Sequence, residues 1–194
     1  MKRLAAALLT CVGAGVGSDA FPAARDGHPT AARAALRFAA VVLPAPLRDT
    51  MSAIWTRNNR HWDELRDQNT LTQLLGTGKP TQREYLGCLA GVVSDDTLFV
   101  RRLASARELR QLQFAVAGSC DGVDDVVGTW HTHPYRADSA GHALKERGLS
   151  ALDLRTFAAA ADIVVIVMWD VDSLDVAAKR PDGTVHHPAP FAVR

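Results

Sequence analysis

Two histidines one residue apart, closing an apolar run and followed by a proline, constrain this chain more than any other feature. The run is Val126-Val127-Gly128-Thr129-Trp130-His131-Thr132-His133-Pro134. It predicts a strand over residues 126–133. Side chains at i and i+2 of a strand share a face, so His131 and His133 present two imidazoles to one spot. Pro134 cannot donate to the ladder and ends the strand. Ser150 and Asp153 then open a helical pattern over residues 150–160. Two imidazoles, a carboxylate and a hydroxyl near element ends outline a catalytic zinc site, with three protein ligands and a fourth position for water.

No piece is diagnostic alone. Seven histidines in 194 residues make a chance His-x-His common. Ser-x-x-Asp is also a plain helix N-cap, and an aspartate there suits the helix dipole. A third piece lies upstream: Glu84-Tyr85-Leu86-Gly87-Cys88-Leu89-Ala90-Gly91 places an acidic residue at the head of an apolar, glycine-containing segment. Glutamate, His-Thr-His-Pro and Ser-x-x-Asp, in that order, resemble the JAMM (JAB or MPN+) metallopeptidase family. The resemblance covers about residues 82–184.

The resemblance implies one zinc ion held by His131, His133 and Asp153, which would acidify a bound water to a pKa of about 7. It implies Glu84 as general base and later proton donor to the leaving amine. Ser150 would stabilise the oxyanion. The implied reaction is hydrolysis of peptide or isopeptide bonds without a covalent acyl-enzyme. The implied partner is a protein or peptide substrate, ubiquitin-like conjugates among the candidates. A catalytically silent scaffold of the same family is the alternative; such members lose ligands, and this chain keeps them. A cytidine-deaminase-like enzyme would need a Pro-Cys-x-x-Cys pair and a His-x-Glu, and neither is present.

The chain departs from the family between the second histidine and the serine, where residues 134–149 form a longer segment. Ser139 is an alternative serine, but no aspartate follows at the right spacing. The segment is polar and glycine-containing, which fits either a lid or substrate-binding element or a tolerated surface insertion.

A 47% hydrophobic, 22% charged chain of net charge +1 suits one globular domain plus an extension. The near-zero charge gives no argument for nucleic acid or an anionic surface. Residues 1–20 resemble a secretory signal peptide: Lys2-Arg3, an apolar stretch, then small residues. That stretch is too short to span a bilayer. An exported location is expected, with a cytoplasmic one as alternative. Removing Cys11 leaves Cys88 and Cys120, which an oxidising compartment would allow to pair. Cys88 lies in an apolar segment and reads as a small buried thiol.

Residues 21–81 read as a helical extension and linker. Helices are expected over residues 31–42 and 47–75, the second broken at Asn58-Asn59, with Met51, Ile54, Trp55, Trp62 and Leu65 at helical spacing. Residues 76–81 are turn-rich, and Pro80 rules out a phosphate loop. In residues 82–194, strands are expected at 84–93, 97–101, 126–133 and 163–169. A helix is expected at 104–117, and a hairpin over 171–178 and 184–187. His186 and His187 read as surface. The expected class is α/β: a mixed β-sheet flanked by helices, the JAB/MPN-like and cytidine-deaminase-like layout, with an N-terminal helical extension.

Overall fold

The strand that carries the histidines and the helix that carries the aspartate belong to one β-α-β unit. In the computed structural model, which describes residues 7–10, 40–59, 82–112, 114–137, 143–188 and 191–193, β7 is Val126–Thr132 and β10 is Val164–Asp170. The two are parallel neighbours, with Val164 opposite Gly128 and Met168 opposite Thr132. Parallel neighbours need a crossover, and helix α2, Ala151–Ala159, lies in that connection. A crossover helix starts where the preceding strand ends. The chain topology therefore carries Ser150 and Asp153 to the carboxyl end of β7.

The remaining elements build the sheet outward. They are β1 (Ala7–Thr10), β2 (Ala40–Leu43), helix α1 (Ala45–Asn58), β3 (Leu86–Ser94), β4 (Thr97–Ser105), β5 (Arg107–Gln111), β6 (Ala115–Ser119), β8 (Arg136–Ala137), β9 (Ala143–Leu144), β11 (Ser173–Lys179), β12 (Val185–His186) and β13 (Phe191–Val193). A mixed eight-stranded sheet has the order β12-β11-β10-β7-β3-β4-β2-β13. A second sheet has the order β1-β6-β5, and β8 pairs with β9. The architecture is mixed α/β, with a curled mixed sheet and, among the described residues, two helices.

Alternation along the strands separates two cores. Trp130, Ile166, Met168 and Leu89 face one way and pack with Met51 and Trp55 of α1. Val165, Ala177 and Phe157 of α2 form a cluster of their own. Gly87 pairs with Trp130, and a Cβ there would lie 2.3 Å from the indole Nε1; glycine makes room for the ring. Pro44 caps α1, a proline occupies its first turn, and it ends at Asn58 as the sequence predicts.

Several expectations are corrected. Residues 104–117 are not a helix. They finish β4 and supply β5 and β6, although Glu108, Leu109, Arg110 and Gln111 are good helix formers. Pairing against β3 and within the β5–β6 hairpin outweighs a propensity worth only tenths of a kcal/mol per residue. The expected helix over 31–42 is a strand where it is described, from Ala40, because Val41, Val42 and Leu43 pair between β4 and β13. Cys88 is not a free thiol but is bonded to Cys120, with 5.7 Å between their Cα atoms. His187 is exposed, as expected, but has partners: its Nδ1 lies 2.9 Å from the Val176 carbonyl and 3.2 Å from Asp175 Oδ1. The linker at 76–81, Trp62, Leu65 and Ser139 lie outside the described residues. So does most of the segment read as a signal peptide. Among the described residues, no helix is long and apolar enough to cross a membrane.

Candidate metal centre

His131 closes β7 on the face that meets α2, and its side chain is fully buried. His133 lies just beyond the strand, but its N–H still donates to the Met168 carbonyl at 2.9 Å. The Trp55 indole N–H donates to the His133 carbonyl at 3.3 Å, so helix α1 fixes that residue from the opposite face. Asp153 enters from the first turn of α2. Ser150 caps the helix: its Oγ accepts the Asp153 N–H at 3.1 Å, and Asp153 Oδ2 accepts the Ser150 N–H at 2.7 Å. This capping box fixes the carboxylate before any ligand is considered. The cap and the ligand role belong to the same residue.

The three side chains converge. His131 Nε2 and His133 Nε2 are 3.2 Å apart. Asp153 Oδ1 is 3.4 Å from His131 Nε2, and Oδ2 is 3.2 Å from His133 Nε2. Zinc bonds of about 2.0–2.2 Å in a tetrahedron put neighbouring ligand atoms about 3.3–3.6 Å apart. The two Nε2 atoms lie close to that edge length, Asp153 meets the two imidazoles through different oxygens, and one ligand atom from each residue lies within 4.8 Å of the others. His131, His133 and Asp153 are all buried and could hold a metal ion. Among the described residues, neither Nδ1 atom has a hydrogen-bond partner. A cavity of about 20 Å³, lined in part by His131, Asp153 and Thr129, adjoins them.

Electrostatics divide the triad. Burial holds the His131 imidazole below its ordinary pKa, so it stays neutral. Burial opposes charge on His133 too, but the Asp153 carboxylate outweighs it and raises that pKa. Burial alone would raise Asp153; hydrogen bonds from His131 and His133 reverse this and hold it well below the usual carboxylate range.

Glu84 does not start β3, as expected, but precedes it by two residues. Leu86 pairs with His131. Tyr85 exchanges bonds with Thr132, N–H to Oγ1 at 2.9 Å and carbonyl from N–H at 3.0 Å. That register puts Glu84 opposite His133, and residues opposite one another share a face. The Glu84 side chain is buried, and burial pushes its carboxyl up to about 8, against His133, which lowers it, and with Asp153 and Glu146, which raise it.

The longer segment at 134–149 is held at both legs. Tyr135 donates to Asp170 Oδ1 at 2.7 Å, and Lys145 pairs with the other Asp170 oxygen. Arg136 pairs with Glu146 at 2.7 Å and lies 4.8 Å over the Phe114 ring. Leu149 donates to Asp175 Oδ2 at 2.9 Å. Sequence reasoning missed these anchors, and it missed Gln111, which donates to the Glu84 carbonyl at 2.9 Å. Each depends on residues brought together from distant parts of the chain, and no local pattern signals it.

All five sequence-predicted residues lie at the ends of neighbouring elements, and three of them form one buried cluster. No family model matches the chain, and no curated protein matches it.

Proposed function

We propose that this chain is a zinc-dependent peptidase or isopeptidase of the JAMM type, with a JAB/MPN-like domain over residues 82–194. The observation that carries the reading is the buried convergence of His131, His133 and Asp153, one ligand atom from each within 4.8 Å of the others, with Glu84 on the same face. Two nitrogens and a carboxylate oxygen are a usual donor set for catalytic zinc. A zinc ion there supplies Lewis acidity and lowers the pKa of water to about 7.

The chain's own residues do the rest. His131 stays neutral and offers a lone pair. Glu84 takes the proton of the attacking water and delivers it to the leaving amine. Burial pushes its carboxyl up to about 8 without metal, and a bound dication would draw it down and leave it ionised to act as the base. Ser150 Oγ already accepts the Asp153 N–H, which leaves its own proton for the carbonyl oxygen under attack. The substrate is a protein or peptide amide, ubiquitin-like conjugates included.

The Cys88–Cys120 disulfide supports an exported protein, since such bonds persist in oxidising compartments. A mature protein beginning near Phe21, and so lacking β1, in an extracytoplasmic fraction is the expected result of N-terminal mass spectrometry.

The test of function measures zinc per chain after zinc-replete expression. It then follows cleavage of a proteome-derived peptide library and of lysine-ε-linked isopeptides. One zinc per chain with cleavage lost in Glu84→Gln is expected. A protein that takes up no zinc would overturn the reading and leave the scaffold alternative.

A further inference from the structure

Glu84 lies outside regular structure, yet its peptide is held on both sides. Its N–H donates to the Leu112 carbonyl at 3.0 Å, and its carbonyl accepts Gln111 Nε2 at 2.9 Å. Both partners sit at the tip of the β5–β6 hairpin, which closes through Leu112 N–H to the Ala115 carbonyl at 2.8 Å. Gln111 Nε2 also reaches Asn58 Oδ1 at 3.4 Å, and the Asn58 carbonyl accepts the Arg83 N–H at 2.9 Å. Residues 83 and 84 are thus clamped between the end of α1 and the hairpin tip.

The root of the same hairpin is fastened to the same strand. Arg107 and Ser119 pair at the root, and Cys120 follows with its bond to Cys88 of β3. Leu86, Cys88, Ala106 and Val116 form a small apolar cluster between the hairpin and β3. The hairpin pairs with β1 on its outer edge, and the contacts at tip and root together with this apolar cluster hold it against β3.

From this geometry we infer that the β5–β6 hairpin is a positioning arm for Glu84: Gln111 holds the Glu84 peptide, and the Cys88–Cys120 disulfide anchors the arm's root. The inference rests on the peptidase reading for its consequence in turnover, but not for its consequence in backbone order. Among the described residues the arm makes no hydrogen bond to any of the three ligands, so metal binding and base placement are separable. Loss of the arm lowers kcat and leaves zinc in place. A misplacement of about 1 Å at a catalytic group costs about a hundredfold.

The test uses the full chain loaded with zinc. Gln111→Met keeps the length and removes the donor; Gln111→Arg restores one. Amide exchange at Glu84, zinc affinity by chelator competition, and kcat and KM on the peptide and isopeptide probes are read together. Gln111→Met is expected to speed Glu84 exchange about tenfold or more and to lower kcat about 10- to 100-fold. KM and zinc affinity stay within about twofold, and Gln111→Arg recovers part of the loss. Unchanged exchange at Glu84 overturns the inference. So does a loss of zinc that parallels the loss of kcat, since that marks general disruption. If the wild type cleaves neither probe, the peptidase reading fails, and the exchange at Glu84 alone decides the arm. If Gln111→Met does not fold, the double variant Cys88→Ala with Cys120→Ala takes its place, and unchanged Glu84 exchange there overturns the inference.

Discussion

The Nε2 atoms of His131 and His133 face each other at 3.2 Å in the protein interior. Two lone pairs at that distance repel, so a proton or a cation must lie between them. Asp153 completes the requirement, because each of its oxygens meets a different imidazole. Burying two imidazoles and a carboxylate costs several kcal/mol that packing alone does not return.

Asp153→Ala removes a ligand and half of the capping box together. Zinc affinity by chelator competition is expected to fall about 100-fold or more, as removing a ligand should cost more than removing an outer-sphere partner. The metal-free protein is expected to lose about 1 kcal/mol from the cap, read by chemical denaturation. Unchanged zinc content after dialysis would show that another group completes the site.

Glu84→Gln removes the proposed base and no ligand. Zinc per chain is expected to stay at one while cleavage of the probes falls about 100-fold or more. Full cleavage by this variant would remove Glu84 from the chemistry.

The same residue gives a pH signature in metal-free protein. Its folded pKa, about 8, lies above the ordinary 4.5. Between these values the folded state binds the extra proton, so stability falls as pH rises. Glu84→Gln does not titrate. The variant is therefore expected to match the wild type below pH 4.5 and to gain on it progressively up to about pH 8, by at most about 5 kcal/mol. Denaturant midpoints across that range check this, and parallel profiles would place Glu84 in solvent.

Gly128 of β7 sits opposite Val164 of β10. A Cβ there would lie 1.8 Å from the Val164 carbonyl oxygen. Backbone cannot swing aside as a side chain can, so Gly128→Ala must push the two strands apart, three residues from His131. A loss of about 3 kcal/mol or more is expected, beyond the usual range for a small substitution. Thermal unfolding measures it, and a Tm near that of the wild type would contradict the close approach.

The disulfide closes a loop of 32 residues between β3 and the end of β6. Chain-entropy arguments give it about 3–4 kcal/mol. The double variant Cys88→Ala with Cys120→Ala is expected to lose that much in chemical denaturation. Intact-mass measurement of the native protein is expected to find it two hydrogens lighter than the reduced chain.

The ligand set was legible in the sequence because its parts are local. His-x-His depends on the two-residue period of a strand, and Ser-x-x-Asp on the geometry of one helical turn. Both hold before any tertiary contact forms, and so do the helix end at Asn58 and the hairpin that joins β11 to β12. The segment 104–117 was misread because its residues favour a helix and only its partners, β3 and β6, make it strand.

By itself, the sequence determined which side chains form the candidate site and that His131 comes from a strand and Asp153 from a helix start. Tertiary structure decided their distances, the burial that drives the Glu84 carboxyl upward, the pairing of Cys88 with Cys120, and the grip of Gln111 on the Glu84 peptide. The physical reason is separation along the chain. Strand and helix periods act over a few residues. Convergence of Asp153 on His131 depends on a parallel strand pair and its crossover, and the clamp on Glu84 depends on a hairpin and a helix end that meet only in the folded molecule.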